Sequence, residues 1–185
     1  MQTFRLSPVL IFLLLVVGLI SLYLGSRFYY FSPFYKQITR AVAVMHPTKG
    51  NSASGVVTFE QKSDGLHIRA EMEGLTEGKH GFHVHEFGDC SCDDGMCTAG
   101  HYDPTRQPHG GPNSKRKHVG DFGNIVADAD GKAVYELVSD YTTLNGPNSI
   151  IGRGLIVHAD PDDLVSQPTG DAGARIGCGV IGIAK

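Results

Sequence analysis

The run of short alternating segments after residue 40 is the feature that most constrains the fold of this chain. Eight segments either alternate apolar and polar residues or are rich in β-branched residues, as strands are. They are residues 41–45, 55–61, 66–73, 81–87, 124–128, 133–138, 154–159 and 175–183. Turn sequences such as Asp130-Gly131 and Asn145-Gly146 separate them. No long stretch beyond residue 40 has helical periodicity, so the sequence predicts an all-β sandwich or barrel.

Two of the connecting stretches, residues 88–117 and 159–173, are too long to be turns. Long ordered loops on a β scaffold usually carry function. We therefore expect the functional residues of the domain to concentrate in and beside these two loops.

The amino-terminal segment has a different character. Residues 8–25 are apolar except for Ser21, and about 17–20 such residues can cross a bilayer as a helix. A cleaved signal peptide is the alternative, although no good pair of small residues for cleavage follows Gly18. We predict an N-terminal transmembrane anchor or signal segment over residues 1–25, a linker over 26–39 and the β domain over 40–185. The domain is then membrane-anchored on the extracellular or lumenal side, or secreted if the segment is cleaved.

The charge of the β domain excludes one class of function. Three of the 16 basic residues precede residue 40 and none of the 19 acidic residues does, which leaves residues 40–185 with a formal charge of −6. A mildly acidic domain without a basic stripe is not built to bind nucleic acid.

Nine histidines are a high number for a chain of 185 residues, and two of them share a strand. In the segment Gly81-Phe82-His83-Val84-His85, alternation places His83 and His85 on one face and the two apolar side chains on the other. The pair can direct two ring nitrogens toward one metal ion. By itself such a pair is a weak signal, because two surface histidines on a strand would have the same spacing.

Further potential ligands follow in the long loop and in later strands. They are His101, His109, His118, Asp121 and His158. Four imidazoles suit Cu(II), which favours tetragonal nitrogen ligation, whereas three imidazoles and a carboxylate suit tetrahedral Zn(II). Six histidines and one aspartate offer seven ligands for eight positions, so one histidine has to serve both metals.

Five sequence blocks now point to a family. They are residues 81–88 (GFHVHEFG), 109–112 (HGGP), 118–121 (HVGD), 151–153 (IGR) and 173–182 (GARIGCGVIG). In identity and order these blocks resemble the signatures of the Cu,Zn superoxide dismutase family, and the resemblance covers nearly all of residues 40–185. It implies an eight-stranded antiparallel Greek-key β-barrel with immunoglobulin-like sandwich architecture, two long functional loops and a preceding N-terminal hydrophobic helix.

The resemblance also implies an activity and the residues that carry it. The family disproportionates superoxide to dioxygen and hydrogen peroxide by redox cycling of one copper per chain, bridged to one zinc through an imidazolate. The copper ligands implied are His83, His85, His101 and His158. The zinc ligands implied are His101, His109, His118 and Asp121, with His101 as the bridge. Asp162 matches the aspartate that links His83 to His109, and Arg175 matches the catalytic arginine beside the copper.

Two regions depart from the family pattern. The loop after Asp163 is short and has no charged residue before Asp171, so attraction of an anion should depend more heavily on Arg175. The loop before His101 holds three cysteines: Cys90, Cys92 and Cys97. The resemblance implies that one of them pairs with Cys178; Cys97 fits the local motif best and Cys92 is the alternative. We expect one disulfide and two thiols, although four cysteines allow three full pairings.

The resemblance leaves the partners and one other function open. Cys90 and Cys92 form a C-x-C pair similar to that of the copper chaperone for superoxide dismutase, so a metal-delivery protein is the alternative function. Gly88, residues 151–152 and residues 180–182 resemble the family's homodimer surface, or are ordinary strand ends. The expected partners are superoxide, a second copy of the chain, a copper chaperone and, through the N-terminal segment, a membrane.

Overall fold

A computed structural model describes residues 7–31 and 37–185, except for the side chains of residue 10 and residues 26–31. The chain divides into two compact units, Met1–Gln37 and Ile38–Lys185. We describe each unit by itself.

The first unit contains the helix α1 (Pro8–Phe31), which confirms the predicted N-terminal hydrophobic helix. The helix continues beyond residue 25 into the predicted linker, and residues 32–36 of that linker lie outside the described residues. In the part of the chain that the structure describes with its side chains, no helix is long and apolar enough to span a membrane. The predicted transmembrane anchor is therefore not supported.

The second unit is an antiparallel β-barrel with a long loop after its fourth strand. Its strands are β1 (Arg40–Pro47), β2 (Ser54–Lys62), β3 (Gly65–Glu73), β4 (Gly78–His85), β5 (Asp121–Ala127), β6 (Ala133–Ser139), β7 (Gly154–His158), β8 (Arg175–Val180) and β9 (Gly182–Ile183). A short 3₁₀ helix, Met96–Thr98, lies in the β4–β5 loop. All eight predicted strand segments are present, and the last one is divided into β8 and β9.

The strands are hydrogen-bonded in the order β5-β4-β7-β8-β1-β2-β3-β6, and β9 pairs with β1. The connections β3–β4 and β6–β7 cross between distant strands of this order, which is the Greek-key pattern. The two end strands, β5 and β6, lie side by side, and the Tyr135 hydroxyl of β6 donates to the Phe122 carbonyl of β5 (2.5 Å). The barrel is therefore nearly closed, as the sequence predicted.

The core follows from alternation along the strands. On β2 and β3 every second side chain is buried, and the register pairs Val57 with Ala70 and Phe59 with Ile68 on the inner face. β4 breaks this rule because its last six residues are all buried. Phe82 and Val84 face the core, whereas His83 and His85 are covered from outside by the loops that follow β4 and β7. This doubly covered strand positions the candidate site.

Two disulfides fix the β4–β5 loop, and they correct the predicted pairing. Cys90 bonds to Cys178 and Cys92 bonds to Cys97, with Cα–Cα distances of 5.9 and 5.6 Å. The predicted Cys97–Cys178 bond, its Cys92–Cys178 alternative and the two thiols are therefore wrong. The loop passes β8 early: a Cβ built at Gly88 would meet Val180 at 3.0 Å, so Cys90 reaches Cys178 first.

Candidate metal centre

The candidate ligands come from three strands and one loop. His83 and His85 lie on β4, Asp121 begins β5 and His158 ends β7. His101, His109 and His118 lie in the β4–β5 loop, where an isolated bridge between His85 and His101 brings the loop back beside β4. All seven side chains are buried.

The structure brings these residues into two groups that share one member. The four-histidine group consists of His83, His85, His101 and His158, and the carboxylate group consists of His101, His109, His118 and Asp121. Within each group the potential ligand atoms lie within 4.8 Å of one another. The shared member is His101, the residue that the family resemblance implies as common to both groups.

Buried nitrogens without partners test whether metals fit these groups. Among the described residues, the buried side-chain atoms that lack a hydrogen-bond partner are His83 Nδ1, His101 Nε2 and His109 Nδ1, and the last of these has only an ion-pair contact, 3.0 Å from Asp121 Oδ1. An unpaired buried polar atom is unfavourable, and all three atoms belong to rings of the two groups. His85 Nε2 and His158 Nε2 also face each other at 3.3 Å, which suits a cation between two lone pairs. The donor set therefore fits metal ions.

In the carboxylate group, one oxygen of Asp121 contacts a ring nitrogen of each of the three histidines. Asp121 Oδ1 lies 2.8 Å from His101 Nδ1, 3.0 Å from His109 Nδ1 and 3.2 Å from His118 Nδ1. Asp121 Oδ2 accepts from the backbone amides of Gly110 and His118 at 3.0 and 2.8 Å, so the carboxylate cannot rotate freely. Three nitrogens and one oxygen converge here, a donor set that suits zinc.

The non-coordinating nitrogens are held by acceptors outside the two groups. Asp162 links two rings, since its Oδ2 lies 2.8 Å from His83 Nε2 and its Oδ1 lies 2.9 Å from His109 Nε2. His85 Nδ1 donates to the Ala99 carbonyl (2.8 Å). His158 Nδ1 donates to the Gly173 carbonyl (3.1 Å). Such contacts fix the tautomer and orientation of each ring and leave its other nitrogen free to bind a metal.

The two groups differ in their protonation. Burial lowers the pKa of His101 to about 4 and that of His158 to about 3, so both rings are neutral at pH 7. Burial alone would lower the pKa of His109, but its contacts with the carboxylates of Asp121 and Asp162 raise it to about 9. Burial opposes ionisation of Asp121, yet its three histidine partners hold its pKa well below the usual range.

Arg175 lies at the open side of the four-histidine group. It lines a cavity of about 620 Å³ together with His85 and His158. Its guanidinium donates to the carbonyls of Gly95 (2.8 Å) and Ala99 (2.6 Å) and to Thr98 Oγ1 (3.0 Å). Burial lowers the pKa of Arg175, but an arginine stays protonated at neutral pH, so the cavity floor has a fixed positive charge.

Three further histidines lie outside the two groups. His46 is exposed, His67 is partly buried with Nε2 2.9 Å from Asp64 Oδ1, and His80 is buried. The Nδ1 of His80 contacts the carbonyl of His158 (2.8 Å). His80, which lies on β4, thereby supports the backbone of a candidate ligand.

Sequence reasoning missed several supporting positions. A Cβ at Gly170, whose φ is +71°, would lie 1.9 Å from Asp162 Oδ1 and 2.7 Å from His109 Nε2, so only glycine fits there. A glycine in a loop signals a special backbone position, yet its neighbour cannot be read from sequence. The carbonyls of Ala99 and Gly173 carry no sequence signal at all, since every residue has a carbonyl.

The fold and the paired ligand groups define a β-barrel protein with a two-metal centre. A sequence profile described as copper/zinc superoxide dismutase matches residues 53–181. The chain is 46% identical over 154 residues to the extracellular Cu-Zn superoxide dismutase of Brugia pahangi, covering 78% of this chain and 76% of that protein. The crystal structure of the clock protein EA4 is similar with a TM-score of 0.75 and 40% identity, over 81% of this chain and 98% of that one.

The chain therefore belongs to the copper/zinc superoxide dismutase family. Membership confirms the predicted enzyme class, an oxidoreductase that acts as a superoxide dismutase, and the predicted cofactors, copper and zinc. The two ligand groups are the parts of the described chain that could hold these metals.

Proposed function

We propose that this chain disproportionates superoxide to dioxygen and hydrogen peroxide at the centre formed by the two ligand groups. The observation that carries the proposal is the convergence of seven buried candidate ligands, among which the ring nitrogens His83 Nδ1 and His101 Nε2 have no partner. In a barrel whose histidines bound no metal, the desolvation free energy lost by burying unpaired nitrogens would not be compensated by any contact.

We assign copper to the four-histidine group and zinc to the carboxylate group. Neutral, dehydrated imidazoles support the first assignment, and a carboxylate with three imidazoles supports the second. When bound, copper supplies one-electron redox chemistry and zinc supplies positive charge without redox change. His101 presents Nδ1 to one group and Nε2 to the other, which supports its proposed role as a bridging imidazolate.

The side chains of this chain then have distinct tasks. Arg175 attracts and orients the superoxide anion in the cavity that it shares with His85 and His158. His101 Nε2 is the atom that holds a proton and returns it to the reduced product. Asp162 keeps the rings of His83 and His109 oriented so that their Nδ1 atoms stay directed into the centre.

The metal-delivery alternative finds no favouring observation in the structure. Transfer through a C-x-C pair needs thiolates, because a thiolate is the form of cysteine that binds a metal. Cys90 and Cys92 each belong to a disulfide, to Cys178 and Cys97 respectively. In this state the pair cannot bind copper.

We further propose that the β-barrel functions outside the cytosol as a secreted protein. Two disulfides in one domain are typical of oxidising compartments, and the relative from Brugia pahangi is named extracellular. A homodimer and a copper chaperone remain predicted partners. Val180, within the predicted dimer surface, and Phe87, the neighbour of Gly88 in sequence, have exposed side chains, which supports the first of these.

Metal analysis of the purified full chain, combined with a superoxide-decay assay, tests the proposal. We expect one copper and one zinc per chain and decay that is lost when copper is removed. Both metals bound without any acceleration of decay would contradict the enzymatic function. Zinc in stoichiometric amount without copper would contradict the assignment of the four-histidine group.

A further inference from the structure

The β4–β5 loop carries a second disulfide, Cys92–Cys97, which the proposed chemistry does not use. It closes a short ring within the loop, five residues apart in sequence. Inside this ring Gly95 has a φ of +72° and its amide donates to the Cys92 carbonyl (3.1 Å). The ring therefore fixes the direction of the Gly95 carbonyl.

That carbonyl is one of the acceptors of Arg175. Arg175 Nη1 donates to Gly95 O (2.8 Å) and to Thr98 Oγ1 (3.0 Å), and the Thr98 hydroxyl donates to Gly95 O (2.9 Å). A Cβ at Gly95 would lie 3.3 Å from Arg175 Cβ, so loop and side chain also pack closely. The guanidinium thus takes its position from this loop.

The remaining acceptor is anchored independently of the disulfide. Arg175 Nη2 donates to Ala99 O (2.6 Å), and the residues on either side of Ala99 pair with the chain after β4: Phe87 N donates to Thr98 O and Glu86 N donates to Gly100 O. Among the backbone contacts of the described chain, Gly95 has no such pairing with β4, and its carbonyl accepts from Thr98 N (3.2 Å) within the 3₁₀ turn. This part of the loop is also held through Asp93, whose carbonyl accepts from Lys49 N (2.8 Å) and whose carboxylate pairs with Lys49 Nζ in an exposed contact.

We propose that the Cys92–Cys97 disulfide, acting with Thr98, is a positioning element for Arg175. It directs the Gly95 carbonyl so that this oxygen accepts from Arg175 Nη1 while Arg175 Nη2 donates to the Ala99 carbonyl. The two contacts together hold the positive charge of the guanidinium at the cavity. The loop after Asp163 contributes no charged residue before Asp171, and Lys49, which also lines the cavity, is paired with Asp93. Attraction of the anion therefore depends mainly on the placement of Arg175. The inference rests on the proposed role of Arg175 in the dismutase reaction.

A mutant cycle on the full, metal-loaded chain tests the inference. The variants are Cys92→Ala/Cys97→Ala, Arg175→Ala and the combination of all three, with Ser91→Ala as a control in the same loop. We expect the cysteine variant to keep both metals, to lower kcat/KM for superoxide by roughly 3–10-fold and to flatten its dependence on ionic strength. Ser91→Ala should match the parent.

Coupling is the decisive readout, because a merely structural loss would add to the arginine defect. If the disulfide acts through Arg175, the cysteine substitutions should change nothing further in the Arg175→Ala background. An equal fold-loss in both backgrounds, or no loss in the parent background, would overturn the inference. Absence of superoxide decay in the parent would instead overturn the proposed function, so the two failures are distinguishable.

A second pair of variants keeps the inference testable if the cysteine variant loses its metals. Thr98 is fully buried, and Thr98→Val removes its hydroxyl at nearly constant volume, whereas Thr98→Ser retains it. We expect Thr98→Val to weaken the salt dependence of kcat/KM and Thr98→Ser to restore it. Equal behaviour of the two variants would contradict the positioning role.

Discussion

The two ligand groups share His101 but prepare their metals in opposite ways. In the four-histidine group, burial lowers the pKa values of the rings, so each ring is already neutral and has one unprotonated nitrogen. In the carboxylate group, Asp121 is ionised and His109 is protonated when no metal is bound. The first group is prepared by dehydration and the second by an internal ion pair that a metal has to displace.

The difference teaches that one loop can support two kinds of site. A metal held by the buried imidazoles of the four-histidine group would be accessible to a ligand from the cavity that Arg175 lines with His85 and His158. In the ion-paired group, His109 and Asp121 have no exposed side-chain surface, and the His118 side chain is 10% exposed. Reactivity and structural support are thereby separated although one imidazole joins them.

Removing the shared ring should have the largest effect. His101→Ala deletes a ligand from both groups, and loss of a direct ligand should exceed the 10–100-fold effects known for outer partners, so we expect activity to fall by more than about 100-fold. Metal analysis and superoxide decay measure the result. His67→Ala, which removes a histidine outside both groups, is the matched control. Retention of both metals at full affinity would show that the groups are independent.

Asp162 should couple the groups with the next largest effect. Asp162→Ala frees His83 Nε2 and His109 Nε2, and we expect the affinities for copper and for zinc each to fall about 10–100-fold. Chelator competition measures both, with exposed Asp163→Asn as the control. A loss confined to one metal would show that only one of the two contacts orients a ligand.

The pH dependence of binding should separate the groups. Because the pKa of His109 is raised to about 9, zinc must displace its proton at neutral pH, and zinc affinity should fall about tenfold per pH unit as pH drops from 8 to 6. Copper binding to the four-histidine group of the metal-free chain should stay constant over the same range, because burial lowers the pKa of His101 to about 4 and its neutral ring can bind copper through Nε2 while Nδ1 keeps its proton toward Asp121. Chelator competition at each pH gives both slopes. Equal slopes would contradict the comparison.

Gly170→Ala should give the smallest effect and bias it toward one group. The added Cβ would press on Asp162 Oδ1 and His109 Nε2 at a backbone φ of +71°, so we expect unfolding free energy to fall by about 1–3 kcal/mol and zinc affinity to fall more than copper affinity. Gly146→Ala is the control, since Gly146 has a φ of +76° and nothing within 4 Å of its Cβ position. Equal destabilisation of the two variants would show that crowding around position 170 does not contribute to the effect of Gly170→Ala.

Much of this molecule could be predicted because its signals are local. Alternation or β-branched composition indicated every strand segment, and the spacing of His83 and His85 placed both on one face of β4. The last segment is split because Ile181 turns inward: its amide donates to Arg153 O (3.0 Å), which takes it out of the ladder. That interruption depends on a residue distant in sequence and left no local trace.

The predicted disulfide pairing was wrong for the same physical reason, because pairing also depends on contacts between residues that are distant in sequence. Cys97 has the familiar local motif, but which cysteine meets Cys178 depends on where the loop passes β8. That path is set by the close approach of Gly88 to Val180, between distant parts of the chain. The carbonyls that orient His85, His158 and Arg175 were equally invisible, because backbone direction is a property of the fold.

The Cys90–Cys178 bond has a consequence for the chain before it folds. It closes a ring over a sequence separation of 88 residues, which contains five of the seven ligands together with Asp162 and Arg175. In the chain-entropy description such a ring restricts the unfolded ensemble by about 4–5 kcal/mol. Before it folds, the oxidised chain therefore already has most of its candidate metal-binding residues confined to one covalently closed ring.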